Sequence, residues 1–191
     1  MGGVEVAYEL KDVCNQIAFS QDEVLADGFD YTTMASYLLA SSGAPDLKGV
    51  CQAYFEHYNS LTGLNQSATV SLINCKGMEN LALVCNKLYS THRYNLDRIN
   101  PSTLQSFGKN SKKIYFYDLG DIINHLNLSD QELNEFESAL NNCILYKAHT
   151  DNFIGMPITT FCGLSSYCTN KQTYDDFYKT LAWNQATGMI E

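Results

Sequence analysis

The sequence has 191 residues, 45% of them hydrophobic and 12% aromatic, which excludes a disordered chain and predicts a domain with a substantial core. Its formal net charge of −9 argues against non-specific nucleic-acid binding and suits cationic substrates or partners. No apolar run approaches the roughly 20 residues that a membrane span needs, and no signal peptide is visible at the start.

The first twenty residues predict a sharp turn that leads into a helix and then into a strand. Gly2 and Gly3 allow the close backbone approach that such a turn needs. Apolar residues follow at positions i, i+4 and i+7 of one helical face, namely Val6, Leu10 and Val13. Residues 15–20 are short and apolar enough for a buried strand. The chain therefore starts at a turn with no strand leading into it, which is unusual for a domain.

Residues 1–10 read Met-Gly-Gly-Val-Glu-Val-Ala-Tyr-Glu-Leu. This segment resembles the clostripain family of cysteine endopeptidases, which are relatives of caspases and gingipains. In that family the nucleophile lies in a segment Asp-x-Cys-x-Met-Gly, and a helix much like this one follows. The resemblance implies that the cysteine, and the His-Gly that carries the general base, lie upstream of Met1.

The resemblance also implies the fold. We expect residues 1–191 to be the C-terminal portion of a clostripain-like peptidase domain, beginning just after the catalytic cysteine. Its class is then α/β, with a caspase-like open, mostly parallel sheet flanked by helices and here missing its N-terminal strands. Periodicity alone predicts only alternating strands and helices.

An acidic loop at residues 21–30 follows the first predicted strand. It holds four carboxylates: Asp22, Glu23, Asp27 and Asp30. Ligands of open parallel sheets bind at the carboxyl ends of strands, where this loop leaves the sheet. A partly desolvated carboxylate there can bind a Lys or Arg side chain through charge-assisted hydrogen bonds.

Clostripain-like enzymes prefer a basic residue before the cleaved bond and take the pocket acid from this part of the fold. The resemblance therefore makes Asp27 the first candidate for substrate binding and Asp30 the second. The alternative is that all four carboxylates are solvated loop residues.

Further along, helices are predicted at 31–40 and 46–61, a break at 41–45, a strand at 68–74 and a helix at 78–92. Gly63 is expected to end the second helix. The seven cysteines are scattered and form no CxxC pair, so a zinc site is not predicted, and most should be buried. Cys75 at a strand end invites interpretation as a nucleophile, but no neighbouring residue supplies a base.

Residues 95–113 are polar and predict a surface excursion. The aromatic run at 114–117 then ends in Asp-Leu-Gly-Asp at 118–121, which resembles a recurring segment of the clostripain family. We expect Asp118 or Asp121 to cap a helix. The family resemblance implies no required cofactor but allows calcium at these carboxylates, because such enzymes can depend on it.

The last third of the chain predicts a capping box at Ser129–Glu132, a strand at 143–149 and a terminal helix with Trp183 near its end. By position His149 is the best single histidine for a site, although an exposed or hydrogen-bonded strand-end role is commoner. Gly-Leu-Ser at 163–165 followed by a tyrosine resembles a late strand of the family. Cys168, Thr169 and Asn170 depart from the proline that family members often have next.

Two functions remain open from the sequence. In the first, the chain is part of a cysteine endopeptidase that cleaves after Arg or Lys, and it is inactive alone. Its partners are then a peptide substrate with a basic side chain and the missing N-terminal part or a second copy. In the second, it is a non-enzymatic interaction domain or a truncated pseudo-peptidase that covers an exposed sheet edge. Family resemblance suggests export or a cell-envelope location.

Overall fold

Helices and short strands alternate along this computed structural model, which describes residues 2–39, 43–108, 114–168 and 174–191. The helices are α1 (Val4–Glu9), α2 (Tyr31–Leu38), α3 (Leu47–Asn59), α4 (Met78–Thr91), α5 (Arg93–Leu96), α6 (Leu119–Asn124), α7 (Asp130–Cys143), α8 (Asp175–Tyr178) and α9 (Ala182–Thr187). The strands are β1 (Gln16–Phe19), β2 (Thr69–Asn74), β3 (Phe116–Asp118), β4 (Ile144–His149), β5 (Asn152–Phe153), β6 (Met156–Pro157) and β7 (Ser165–Tyr167). Within those residues no helix is long and apolar enough to cross a membrane.

The main sheet has the order β1-β2-β4, with β2 in the centre. Both pairs are antiparallel, with Ile17 opposite Ile73 and Leu72 opposite Tyr146. The α/β class is confirmed, but these strands do not form the mostly parallel sheet that we expected. In chain order, helices α2 and α3 lie between β1 and β2 and pack on each other. Strand β2 therefore starts at the end of the sheet where β1 stops. A single crossover helix would have made the pair parallel.

Two smaller pairings complete the strand contacts of the described residues. Strands β3 and β7 pair antiparallel, and β5 and β6 form a short antiparallel hairpin. An isolated parallel bridge joins Gly3 to Ser165, at the start of β7. The beginning of the chain is therefore attached to its late strand, 162 positions away in the sequence.

The centre of the core is β2, which is covered on both faces because successive side chains point to opposite sides of a strand. Val70 and Leu72 pack with α3 residues Cys51, Tyr54 and Tyr58. Ile73 packs into the larger cluster on the other face, which contains the apolar stripe of α4 and the fully buried Trp183. This arrangement explains why residues 69–73 are all buried although only one face of a strand is normally apolar.

Most predicted elements are confirmed, with differences at their ends. The capping box is present, since Ser129 and Glu132 satisfy each other's backbone N–H groups at the start of α7. Helix α3 ends at Asn59 with Ser60 as its C-cap, whereas Gly63 begins a 3-10 turn with a positive φ of 63°. The terminal helix is two short helices, α8 and α9. Met1, the break at 41–42, the polar residues 109–113 and the departure at Thr169 and Asn170 lie outside the described residues.

Candidate functional site

The segment at Gly2 and Gly3, where the sequence predicts a glycine turn, is extended at Gly3 and packs against β7 just ahead of α1. The backbone N–H and the hydroxyl of Ser165 both donate to the carbonyl oxygen of Gly2, each at 3.1 Å. A Cβ atom at Gly2 would overlap the ring of Phe19, and one at Gly3 would lie 2.5 Å from Oε2 of Glu5. Close packing thus restricts Gly2, as the sequence predicted, whereas a side chain at Gly3 would displace the carboxylate end of Glu5.

Glu5, in the first turn of α1, anchors this helix to β7. Its Oε1 accepts hydrogen bonds from the Tyr167 backbone N–H and the Tyr178 hydroxyl, both at 2.8 Å, and from the Ser166 hydroxyl at 3.3 Å. Burial raises the pKa of the Glu5 carboxyl, against the opposing effect of these hydrogen bonds. Sequence analysis did not single out Glu5. The available signal was a carboxylate within the otherwise apolar run Val4–Ala7.

The acidic loop begins next to the same segment of the chain. The buried Gln21 side chain donates from Nε2 to the Gly163 carbonyl and, at 2.9 Å, to the Ser71 hydroxyl. Gly163 lies two residues before Ser165, which holds the Gly2 turn. The residues 163–165 therefore join the glycine turn to the start of the acidic loop, so the two features lie at the same region of the protein.

Asp27 is exposed on a tight turn within this loop. The turn is held by a hydrogen bond from the Gly28 backbone N–H to the Leu25 carbonyl, at 2.8 Å, and by one from the Tyr58 hydroxyl to the Gly28 carbonyl, at 2.7 Å. Burial raises the pKa of the Tyr58 hydroxyl, and the Asp27 charge adds to the effect. Among the described residues, no side-chain hydrogen bond involves the Asp27 carboxylate, so it is available to a ligand.

Asp30 has a different role, because it is the N-cap of α2. Its Oδ1 accepts from the backbone N–H groups of Thr32 and Thr33, and its Oδ2 accepts from the Thr33 hydroxyl at 2.6 Å. These bonds, above all the one from the Thr33 hydroxyl, lower the pKa of the Asp30 carboxyl. A carboxylate that is engaged in this way is less available for a substrate cation.

The other two acids of the loop differ from each other in exposure to solvent. Glu23 is exposed, whereas Asp22 is only 4% exposed. Burial raises the pKa of Asp22, although it accepts hydrogen bonds from the backbone N–H groups of Glu23 and Gly108. The hypothesis that all four carboxylates are merely solvated is therefore wrong for Asp22 and Asp30.

No cysteine–histidine pair suited to nucleophilic catalysis is formed within the described ranges. Cys75 is 1% exposed, and burial raises the pKa of its thiol to about 11. His149 packs on the ring of Phe161 and contacts the Thr150 carbonyl through Nδ1 at 2.9 Å. His92 pairs with Glu132 rather than with a thiol. The structural roles that we favoured for Cys75 and His149 fit this geometry.

Comparisons with known proteins identify the family of this chain. The model of the clostripain family, Peptidase C11, matches residues 1–189. The chain belongs to the clostripain family. Its fold is similar to an inactive zymogen C11 protease from Parabacteroides distasonis, with a TM-score of 0.85 and 23% identity over 98% of this chain. No curated protein sequence matches significantly.

Two further solved structures are similar. One is a clostripain from Bacteroides thetaiotaomicron in complex with a peptide inhibitor, with a TM-score of 0.81 and 25% identity, covering 97% of this chain and 82% of that one. The other is iotapain, a secreted C11 cysteine protease from the same organism, with a TM-score of 0.84 and 26% identity over 98% of this chain. The chain spans 56% of the Parabacteroides structure and 52% of iotapain.

In this clostripain-family chain both aspartates of the Asp-Leu-Gly-Asp segment accept hydrogen bonds from backbone N–H groups. Asp118 caps α6 by accepting from the Asp121 backbone N–H at 3.0 Å, and it accepts from the Cys162 backbone N–H at 2.7 Å. Asp121 accepts from the Gln105 backbone N–H at 2.7 Å. Over the described ranges no three His, Cys, Asp or Glu residues are grouped as a metal would require.

An open apolar groove of about 1040 Å³ lies beside the glycine turn. Its lining comes from α1, from the β3–β7 pair and from the last two helices. Val6 and Phe177 line it and are 47% and 68% exposed. The apolar face that we predicted for the first helix thus points outward, while Val4 and Ala7 are buried instead. An open apolar groove of this clostripain-family segment therefore lies alongside its first helix.

Proposed function

We propose that residues 1–191 are the part of a clostripain-family cysteine endopeptidase domain that follows the nucleophile, and that the enzyme cleaves peptide bonds after Arg or Lys. The observation that carries the proposal is the attachment of Gly2 to Ser165 and of Gln21 to Gly163. These contacts hold the glycine turn of the family motif and the start of the acidic loop against one short segment, residues 163–165. A nucleophile just ahead of the turn would then lie near the start of the loop that carries Asp27.

In the proposed reaction a cysteine thiolate, ahead of Met1 in the family motif, attacks the scissile carbonyl and expels the amine to form an acyl-enzyme. A histidine takes the thiol proton and returns it to the leaving amine, and water then releases the acyl group. This chain holds the turn behind the nucleophile. The Glu5 carboxylate keeps α1 fixed to β7, so that the turn cannot shift when substrate binds.

Asp27 is the proposed carboxylate for the basic side chain of the substrate, because it is exposed and free of protein hydrogen bonds among the described residues. Asp30, our second candidate, is engaged at the N-terminus of α2. The peptide part of the inhibitor bound to the Bacteroides thetaiotaomicron clostripain reads VLTK and ends in lysine, which supports a basic preference here. An Arg side chain could bind Asp27 through two parallel hydrogen bonds.

The remaining part of the peptidase fold is the proposed occupant of the apolar groove. Two observations support this: α1 presents Val6 toward the groove, and the chain spans just over half of two similar structures. The secreted neighbour supports a location outside the cytoplasm for the enzyme. A second copy of the chain on this surface would instead favour the non-enzymatic alternative.

The test is cleavage of fluorogenic peptides that end in Arg, Lys or Ala. The complete domain, with the upstream part joined to this chain or added to it, should cleave the first two. Residues 1–191 alone should cleave none. Asp27→Ala should lower kcat/KM for the basic reporters by about a hundredfold, because the cation of the substrate loses its partner. Asp30→Ala serves as the matched control.

Two outcomes would contradict the proposal. Equal cleavage of the Ala and Arg reporters would exclude a basic-side-chain pocket. Activity of residues 1–191 without any upstream part would mean that a cysteine of this chain is the nucleophile.

A further inference from the structure

Two thiols that the proposed function does not use lie side by side. The Sγ atoms of Cys14 and Cys75 are 3.8 Å apart. Cys14 follows α1 and is partly exposed, whereas Cys75 follows β2 and is 1% exposed. Sixty-one positions separate them in the sequence, so the contact is made by the fold and not by local chain geometry.

The backbones on either side of this contact already run as neighbouring antiparallel strands. Gln16 pairs with Asn74 at the end of the β1–β2 ladder. The Cys75 backbone N–H continues the ladder by donating to the Asn15 carbonyl at 3.0 Å. A disulfide needs an S–S distance of about 2.05 Å, so the two sulfur atoms, 3.8 Å apart, must approach by less than 2 Å.

We propose that Cys14 and Cys75 are a disulfide-forming pair, which joins the segment after α1 to the end of β2 when the protein meets a disulfide oxidant such as glutathione disulfide. This inference does not depend on the peptidase assignment, because it rests on the two sulfur atoms and the ladder beside them.

The reaction proceeds in two exchange steps. The Cys14 thiol loses its proton and attacks one sulfur of glutathione disulfide, which gives a mixed disulfide and releases one glutathione thiol. The Cys75 thiol then loses its proton and attacks Sγ of Cys14, and the second glutathione leaves with a proton. Two protein thiols are oxidised, and one glutathione disulfide is reduced to two thiols. Cys14 reacts with glutathione disulfide first because its sulfur is the more accessible one.

Other cysteines are poorer candidates for reaction with the oxidant. Cys51, Cys85 and Cys143 are each fully buried. Burial also raises the pKa of the Cys85 and Cys143 thiols to about 12 and that of Cys51 to about 11, which leaves little thiolate at neutral pH. Cys143 lies near Cys75 but has no solvent path by which a mixed disulfide could form first.

A bond between these residues would close a loop that contains β1, the acidic loop, α2, α3 and β2. Cross-linking a loop of that length restricts the unfolded chain and so favours the folded state. It would also fix the C-terminal end of α1 relative to the main sheet. The bridge is therefore expected to stabilise the fold in compartments where disulfides persist.

The test uses the full chain, reduced with dithiothreitol and then incubated with glutathione disulfide. The intact mass should fall by two hydrogen atoms, peptide mapping should join Cys14 to Cys75, and iodoacetamide should no longer label Cys14. The apparent Tm should rise by roughly 5 °C or more, and dithiothreitol should reverse the change. Cys14→Ser should lose all of these effects, and Cys51→Ser should keep them.

Three results would overturn the proposal: a glutathione adduct that persists on Cys14, a bridge that joins other cysteines, or an equal mass loss in Cys14→Ser. Cys75→Ser should also lose the two-hydrogen mass loss and the rise in Tm. If it fails to fold, Cys75→Ala replaces it, and a disulfide involving Cys14 in either variant would overturn the proposal. An oxidised protein whose Tm equals that of the reduced one would overturn the stabilising role of the bridge.

Discussion

The carbonyl oxygen of Gly2 accepts two hydrogen bonds from one residue, the backbone N–H and the hydroxyl of Ser165. Ser165 is completely buried, so neither donor has water as an alternative partner. Gly2, at the start of the chain, is thereby held by β7, which lies late in the chain. This attachment makes Gly2 a part of the core, where the Phe19 ring leaves no room for a Cβ atom.

Gly2→Ala should destabilise the protein by about 1–3 kcal/mol, because the added Cβ would overlap the Phe19 ring and force a shift in a packed region. Urea unfolding followed by circular dichroism measures the change. Gly43→Ala is the control, since a Cβ there meets nothing within 4 Å, and it should change the free energy of unfolding by less than about 0.5 kcal/mol. Equal effects of the two substitutions would refute the packing argument.

Glu5→Ala should destabilise the protein by about 2–4 kcal/mol, because the Tyr167 N–H and the Tyr178 hydroxyl lose a buried acceptor. Glu5→Gln keeps one oxygen acceptor and should cost less. Glu9→Ala, on the exposed side of the same helix, should be nearly neutral. Chemical denaturation of the three variants measures the differences. A neutral Glu5→Ala would show that the carboxylate does not anchor α1.

Glu5 also predicts a dependence of stability on pH. Burial raises the folded-state pKa of its carboxyl above the ordinary value of 4.5, so the folded state binds the proton more tightly than the unfolded state does. Its contribution is fully present below pH 4.5 and is lost as the pH rises through the folded-state pKa. The free energy of unfolding of the wild type relative to Glu5→Gln should therefore fall over that window. A difference that stays constant with pH would contradict this.

Glu132 predicts the opposite dependence. Hydrogen bonds, first from His92 and then from Ser129, lower the pKa of its carboxyl to about 2 from an ordinary 4.5. A depressed pKa contributes stability above pH 4.5, which is lost as the pH falls through about 2. Thermal unfolding between those pH values should show a steeper loss for the wild type than for Glu132→Gln. Glu137→Gln, exposed on the same helix, should follow the wild type.

Phe177→Ser tests the groove. The side chain is 68% exposed, so the substitution should leave the stability of residues 1–191 within about 0.5 kcal/mol of the wild type. It should weaken binding of the upstream part of the peptidase by about tenfold, because apolar contact area is lost. Leu83→Ser is a matched control, because Leu83 is 65% exposed but lies outside the groove. Titration calorimetry measures both affinities, and equal binding by the two variants would exclude the groove as the contact surface.

Local features of this protein could be predicted well from the sequence. The capping box at Ser129 and Glu132 depends on residues three apart, and the strand at 68–74 on a short β-branched run, so neighbouring residues were sufficient. Asp118 as a helix cap followed from the same kind of evidence. The family followed from the glycine turn and the helix after it.

The directions of the strands and the orientation of the first helix could not be predicted in this way. The antiparallel order of β1 and β2 depends on how α2 packs against α3, and nothing within either strand encodes it. The helix at Val4–Glu9 has two apolar sides, and only contact with β7 and α9 determines which side is buried. Periodicity indicated the side with Val6, which is the exposed one.

For the candidate site too, some features follow from the sequence and others only from the tertiary structure. By itself the sequence determined the family motif, the acidic loop and the set of carboxylates, because these are matters of residue type and spacing. Only the tertiary structure decided that Asp27 makes no side-chain hydrogen bond among the described residues, that Glu5 is an anchor and that Cys14 meets Cys75, whereas the Asp30 cap bonds residues only two and three positions away. Each of these depends on hydrogen bonds or burial, and the most distant partners lie more than 60 positions away in the chain, where no local pattern can specify them.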